Sequence, residues 1–185
     1  MFLKWYLLLC TSVFAVPVEL QNVTTKLKKS LEAQFVQKSP EGEMRGTLFF
    51  SLPQKRMKLV SANAQILITS TEMRVLTPAS PPFPAQFVKK KHDASSPLLF
   101  FNHILAGSFP KELFGAFKKQ DSEHFSVALV QPGSQNVFIT LEKKFIHEVR
   151  IGDVSMQISQ VKSGPVPDLD LVAPPGAELV DDLPK

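Results

Sequence analysis

Between residues 31 and 76 the chain is a succession of short runs in which apolar and polar residues alternate, separated by turn-forming residues. The first run alternates over residues 31–36, and after a turn at 40–42 a second run extends from about Glu43 to Leu52, before Pro53. Alternation with a period of two places every second side chain on one face of a sheet. The pattern therefore predicts an antiparallel meander, continued by shorter strands over 57–60, 66–69 and 73–76.

Before and after this stretch the sequence predicts three helices and a long loop. Leucine and valine residues spaced by three and four predict a helix over 20–31. Four prolines between Pro78 and Pro84 predict a long loop. Beyond it, Ser95 or Ser96 as N-cap, Pro97 in the first turn, apolar residues 98–105 and a stop at Gly107 predict a second helix, and 111–118 a short third one.

The remainder of the chain returns to strands and ends in a tail. Strand-like sequence runs from Phe125 to Val161, with turns at Pro132-Gly133 and Gly152-Asp153. A proline-rich tail extends from Gly164 to Lys185. No internal repeat or linker divides the chain, and its length of 185 residues suits one domain after removal of a short leader.

The first 15 residues have the pattern of a signal peptide. Lys4 precedes an apolar run over 5–15, which is shorter than the roughly 20 residues that span a bilayer. Val13 and Ala15 supply the small residues that precede a cleavage site, so we expect a mature domain of residues 16–185 in the periplasm. The alternatives are an uncleaved anchor and a lipoprotein signal ending at Cys10, although the latter needs a small residue in the place of Leu9.

The composition and the absence of known motifs argue against thiol chemistry, metal binding and the common catalytic sites. The single cysteine lies in the predicted leader, so the mature chain has no thiol or disulfide. No nucleophile elbow, phosphate-binding glycine loop or zinc-protease motif is present, and the histidines have no metal-ligand spacing. The sequence therefore predicts a binding protein without cofactor, metal or catalytic residue, with a lipid hydrolase as the enzymatic alternative. The four histidines are His92, His103, His124 and His147.

Charge gives little support for a nucleic-acid partner. The formal net charge is +4, and the basic residues are scattered rather than clustered. The one basic triplet, Lys89-Lys90-Lys91, is interpreted as a solvated loop, with a patch against an anionic membrane surface as the functional alternative.

Phenylalanine is abundant, with 15 residues. The predicted helix over 98–105 is apolar nearly all round, as expected for a lid over a lipid site or for a buried helix.

Several motifs in register resemble the periplasmic lipoprotein carrier family LolA. Residues 35–38 (FVQK) followed by 46–53 (GTLFFSLP) resemble its F-x-Q strand and its G-x-L-aromatic strand, and 57–59 (MKL) resemble the step that follows. Residues 96–99 (SPLL) are similar to the helix that the family places over its cavity. The tail resembles the family's C-terminal segments at 169–171, 174–176 and 181–182.

This resemblance implies a fold and a function. The fold is α+β, mainly antiparallel β: an incomplete, unclosed β-barrel of about eleven strands with a helical lid over an apolar cavity. The function is a monomeric periplasmic carrier that binds the acyl chains of lipoproteins and delivers them to the outer membrane. The implied partners are acylated lipoproteins, an inner-membrane ABC transporter that releases them and an outer-membrane receptor. The alternatives are a module of the same fold for another amphiphile and a lipoprotein sensor.

The candidate acyl-chain site follows from the resemblance combined with the strand alternation. One position departs from the family, because Leu52 stands where the family has an arginine before the strand-ending proline. This departure predicts an apolar mouth whose lid closes by hydrophobic contact. The residues expected to line the site are Phe35, Leu48, Phe50, Leu52, Leu59, Ile66 and Ile68 on the sheet, with Leu98, Leu99, Phe101 and Ile104 on the lid.

Overall fold

The structure of the chain is a computed structural model, and it describes residues 30–51, 53–91, 114–129, 136–142 and 145–181. The predicted leader, most of the predicted first helix, Leu52 and the predicted lid helix lie outside these residues, as do His92 and His103. The described part contains no helix, and hence none long and apolar enough to cross a membrane.

Twelve β-strands form one sheet in the described part of the chain. Along the sheet their order is β12-β6-β5-β4-β3-β2-β1-β11-β10-β9-β8-β7. Every neighbouring pair is antiparallel except β12 and β6, which are parallel. The strands are β1 (Leu31–Ser39), β2 (Gly42–Ser51), β3 (Arg56–Ser61), β4 (Gln65–Ile68), β5 (Glu72–Thr77), β6 (Gln86–Lys91), β7 (Phe114–Lys119), β8 (His124–Leu129), β9 (Asn136–Glu142), β10 (Phe145–Ile151), β11 (Val154–Ser163) and β12 (Glu178–Asp181).

The predicted fold class is therefore wrong. In place of an α+β, mainly antiparallel, unclosed β-barrel of about eleven strands with a helical lid, the described residues form a single open mixed sheet of twelve strands without a helix. The sheet is open because β12 and β7 are its two edges and do not pair with each other. The sheet is mixed because of a non-local pairing: β12 pairs in parallel with β6, although the two strands lie far apart in the chain.

The meander predicted for the first part of the chain is confirmed. Strands β1 to β5 occupy the five predicted runs and pair consecutively as antiparallel neighbours. Each run is bounded by turn formers, and Gly42 adopts the positive φ of +139° that the β1–β2 turn requires. The predicted turn at Gly152-Asp153 is also confirmed, with Gly152 at φ +56° between β10 and β11.

Two other expectations for local structure are wrong. Residues 111–118 were expected to be helical, but β7 starts at Phe114 and pairs with β8. Periodicity cannot separate helix from strand in so short an apolar run, and pairing with β8 decides for the strand. The lysine triplet belongs to β6 rather than to a loop, because all six residues of that strand pair with β5. The proline-rich tail, for which no strand was predicted, supplies the edge strand β12.

The two faces of the sheet differ in chemistry. Cross-strand partners share a face, so the register assigns each side chain. One face, called the apolar face below, carries the main core of the protein. It is formed by buried residues of β1–β4 and β8–β11: Leu31, Ala33, Phe35, Leu48, Phe50, Met57, Leu59, Ile68, Phe125, Val137, Ile139, Leu141, Ile146, Val149, Ile151, Met156 and Ile158. The opposite face, called the polar face below, carries most of the charged side chains of the strands, and C-terminal residues cover an apolar area on it.

Candidate functional site

The apolar face is continuous because the alternation on neighbouring strands is in phase. Leu48 of β2 lies opposite Ala33 of β1 and Leu59 of β3, and Phe50 lies opposite Leu31 and Met57. The pairing continues from Met57 to Ile68 and from Leu59 to Ile66 on β4. A shift of one residue in any pair would move a whole row of apolar side chains to the polar face. Register thus assembles one apolar surface from strands on both sides of β1.

The centre of this surface is closed to water. Leu48, Phe50 and Ile68 are each 0% exposed, and Leu59 is 1% exposed. Full burial of a Leu or Phe side chain contributes about 1.5–3 kcal/mol relative to its exposure, so these residues hold the sheet together. Towards the margin the packing loosens, where Met44, Ile66 and Met73 are only partly buried.

The methionines that the structure describes all lie on this face. Of the five methionines in the sequence, Met1 lies in the predicted leader. The other four, Met44, Met57, Met73 and Met156, all belong to the apolar cluster or pack against it. Methionine has an unbranched, polarisable side chain that adapts to irregular neighbours. The apolar face therefore carries flexible side chains on β2, β3, β5 and β11.

On the polar face an apolar area around Leu67 is covered by the C-terminal strap; this name denotes residues 165–177, between β11 and β12. Leu169 and Leu171 of the strap are 0% and 4% exposed and pack with Leu67 of β4. Phe49, Leu76, Phe87 and Val166 surround this second cluster. Because Phe49 and Phe50 are consecutive in β2, they contribute to clusters on opposite faces.

Charged side chains fasten the strap to the sheet. Arg74 of β5 donates to the Asp170 carboxylate and to the Leu171 carbonyl, both at 3.1 Å. Lys58 Nζ donates to the Asp170 carbonyl oxygen at 2.9 Å. Glu72 accepts from Lys89 at 3.0 Å and from Arg74 at 2.8 Å. Hydrogen bonding to Lys89, and then to Arg74, lowers the pKa of Glu72 from its ordinary value.

A cleft of about 520 Å³ lies between β10 and β11. The two strands pair from Ile151↔Val154 to Glu148↔Gln157, whereas β11 continues along β1 to Ser163. At the point where they separate, His147 Nδ1 lies 3.2 Å from the Ile158 carbonyl oxygen. A β-bulge in β10 and the left-handed Gln160, at φ +52°, mark the same place. The lining residues are Glu142, Phe145, Ile146, His147, Ile158, Ser159, Gln160 and Val161.

The structure brings together the predicted site residues that it describes. Phe35, Leu48, Phe50, Leu59, Ile66 and Ile68 all lie on the apolar face, and the adjacent Phe49 lies on the other face. Leu52, Leu98, Leu99, Phe101 and Ile104 lie outside the described residues. That acyl chains bind to this set stays a prediction.

Sequence reasoning missed the contribution of the second half of the chain. Val137, Ile139 and Leu141 of β9, with Val149 and Ile151 of β10, extend the apolar face beyond β11. Alternation in β9 was the available signal, but nothing local shows that β11 joins the two halves by pairing with β1. The cleft was missed as well, because it depends on where two strands separate.

The described histidines are not gathered into a metal site, and no group of metal-ligating side chains occurs in the described part. The His124 ring nitrogen Nδ1 lies 2.8 Å from the Asp121 carboxylate, and both side chains are at least half exposed. Bonds from the backbone N–H of Glu123, and then from the His124 side chain, lower the pKa of Asp121. This arrangement closes the β7–β8 turn and does not line the apolar face.

Comparison with known proteins gives likenesses of fold. No family model matches the sequence, and no characterised protein matches it by sequence. An uncharacterised conserved protein from Thermus thermophilus aligns with 89% of this chain and 98% of its own, at 11% identity and a TM-score of 0.53. MucB aligns with 84% of this chain at 10% identity and a TM-score of 0.43, and this chain spans 61% of its length.

The complex of MucA with MucB from Pseudomonas aeruginosa gives a TM-score of 0.39 at 10% identity, over 82% of this chain and 56% of the other. At 10–11% identity these likenesses concern the fold alone. They do not bear on the lipoprotein carrier function.

Proposed function

We propose that this chain is a periplasmic carrier that binds the acyl chains of lipoproteins on its apolar face and delivers them to the outer membrane, without catalysing a reaction. The observation that supports this proposal is the apolar face itself. One side of an open sheet is apolar across strands on both sides of β1. The motif resemblance to LolA, which falls on β1, β2, β3 and the C-terminal strap, supports the same function.

The energetics of the cargo explain why such a surface is useful. Burial of each methylene group contributes about 0.8 kcal/mol, so a chain of roughly 16 carbons gains on the order of 10 kcal/mol by leaving water. A carrier must offer apolar area of this extent and still release the chain. Side chains that change conformation easily suit this task, and the four methionines of the apolar face have such unbranched, flexible side chains.

Loading requires a rearrangement at the centre of the face. Because Leu48, Phe50 and Ile68 are 0% exposed, an acyl chain cannot contact them in the conformation described. The partly buried margin, with Met44, Ile66 and Met73, offers the first contacts. We propose that a chain inserts from this margin and displaces neighbouring side chains, so that its burial replaces part of the protein's own apolar packing.

The methionines give a direct test. Photo-methionine introduced throughout the chain places a diazirine at Met44, Met57, Met73 and Met156, and illumination with a triacylated lipopeptide should yield adducts at these positions. The control replaces all four by Leu, which conserves volume, and adds Val60→Met, since Val60 pairs with Thr47 on the polar face. Adducts formed equally well from position 60 would contradict binding on the apolar face.

A second measurement separates a carrier from a sensor and from a hydrolase. The protein is loaded with a fluorescent lipoprotein and mixed with acceptor membranes. A carrier transfers the intact lipoprotein, whereas a sensor retains it and a hydrolase releases a fatty acid. Retention, or recovery of cleaved lipid by mass spectrometry, would refute the carrier function while leaving binding in place.

A further inference from the structure

Gln37, which is partly buried as a residue, places one buried polar atom on the apolar face. Its side-chain oxygen Oε1 is inaccessible to water and is the one such side-chain nitrogen or oxygen without a hydrogen-bond partner in the described part of the chain. Gln37 lies opposite Met44 of β2 and Met156 of β11. It therefore shares their face, two residues beyond Phe35 in β1.

This arrangement is costly for the protein alone. A buried acceptor without a donor loses its hydration and gains nothing in return. An apolar side chain of similar size would avoid the loss. Unsatisfied buried groups are rare in native proteins, and each requires an explanation.

A bound water is a poor explanation at this position. An ordered buried water needs two to four polar partners. The cross-strand neighbours of Gln37 on this face are Met44 and Met156, whose sulfur atoms are weak acceptors and not donors. A ligand donor held in place by an attached apolar body satisfies the oxygen without other polar partners.

We propose that Gln37 Oε1 accepts a hydrogen bond from an amide N–H at the head of a bound acyl chain, so that the apolar face selects amide-linked over ester-linked acyl groups. This inference rests on the proposed acyl-chain function and adds the chemistry of the linkage. Esters and carboxylates offer no donor, whereas an amide places one N–H beside the first carbons of the chain. The chain then lies along the apolar face past Phe35 and Leu48, which belong to the same cluster.

Two ligands that differ in one atom test the proposal. The probes are N-palmitoylglycine methyl ester and its isostere in which an ester oxygen replaces the amide N–H. We expect the full chain to bind the amide about tenfold more tightly, as the loss of one buried hydrogen bond predicts. The fluorescence of a displaced environment-sensitive fatty-acid probe reports both dissociation constants.

A substitution at Gln37 distinguishes recognition of the ligand's amide from a purely structural role of this side chain. Gln37→Met keeps the volume and removes the amide. It should raise the melting temperature, because no acceptor is left unpartnered, and it should abolish the preference for the amide ligand. The matched control is Gln34→Met. Gln34 belongs to the same strand but lies on the polar face, where its Nε2 lies 3.3 Å from Thr47 Oγ1, so the ligand preference should persist.

The possible outcomes differ in what they refute. Equal affinity of the native chain for both ligands would overturn the role of Gln37 and leave the acyl-chain carrier intact. A preference that persists in Gln37→Met would also overturn it, since the donor would then be recognised elsewhere. Binding of neither ligand would refute the proposed function itself, and with it this inference.

Discussion

Phe35 of β1 and Gly46 of β2 lie directly opposite each other on the apolar face. A Cβ atom at position 46 would lie 3.1 Å from Phe35 Cε1 and would overlap the backbone carbonyl oxygen of Val60 on β3. The absence of a side chain at Gly46 thus allows β1, β2 and β3 to approach while a large ring, 1% exposed, is accommodated between them. This contact joins the first two motifs of the LolA resemblance.

The first prediction concerns this contact. Gly46→Ala should lower the free energy of unfolding by at least about 2 kcal/mol, because backbone must move to relieve the overlap. Urea unfolding followed by circular dichroism measures the change. Gly164→Ala is the control, since a Cβ there meets nothing within 4 Å, and it should change stability by less than about 0.5 kcal/mol. Equal effects at the two positions would show that the close approach at Gly46 is not required.

The second prediction concerns the C-terminal strap. Leu171→Ala should lower the free energy of unfolding by about 3 kcal/mol, because a buried leucine side chain is removed and a cavity remains under the strap. The neighbouring Val172 is 66% exposed, so Val172→Ala should be nearly neutral. Thermal unfolding of both variants gives the comparison. A small loss at Leu171 would mean that the strap contributes little to the stability of the sheet.

The third prediction concerns pH and Glu72. Its pKa in the folded chain is lowered from 4.5 by bonds from Lys89 and Arg74. A lowered folded pKa stabilises the protein above the unfolded value, and this contribution is lost as the pH falls through the folded value. Glu72→Gln should therefore lower the free energy of unfolding by about 1 kcal/mol at pH 7, and the difference should shrink below pH 4.5.

Glu43→Gln is the control for this pH profile, because Glu43 pairs with its strand neighbour Arg45, whose side chain is 74% exposed. Such an exposed pair contributes little. Urea unfolding of both variants at several pH values supplies the curves. A difference between native chain and Glu72→Gln that stays constant from pH 7 to pH 3 would contradict the ionic origin of the contribution.

Agreement between sequence and structure is closest where a local pattern suffices. The alternation in 31–36 and 43–52 predicted both the strands and the face on which Phe50 and Phe49 lie, because side chains in a strand point to opposite faces in turn. The same reasoning gave the common face of Leu48, Leu59 and Ile68. It failed over 111–118, where a short apolar run is compatible with either helix or strand and the partner strand decides.

The sequence by itself determined the periodicity, the turns and therefore which side chains of β1 to β5 share a face, since these depend on neighbours along the chain. Only the tertiary structure decided that β1 pairs with β11, that β12 adds in parallel to β6, and that the strap covers Leu67. These choices depend on the burial of surfaces that lie far apart in the chain. The exposed backbone edge of β1 accepts any strand of suitable register, and joint burial of its apolar side chains with Ile158 and Met156 selects β11.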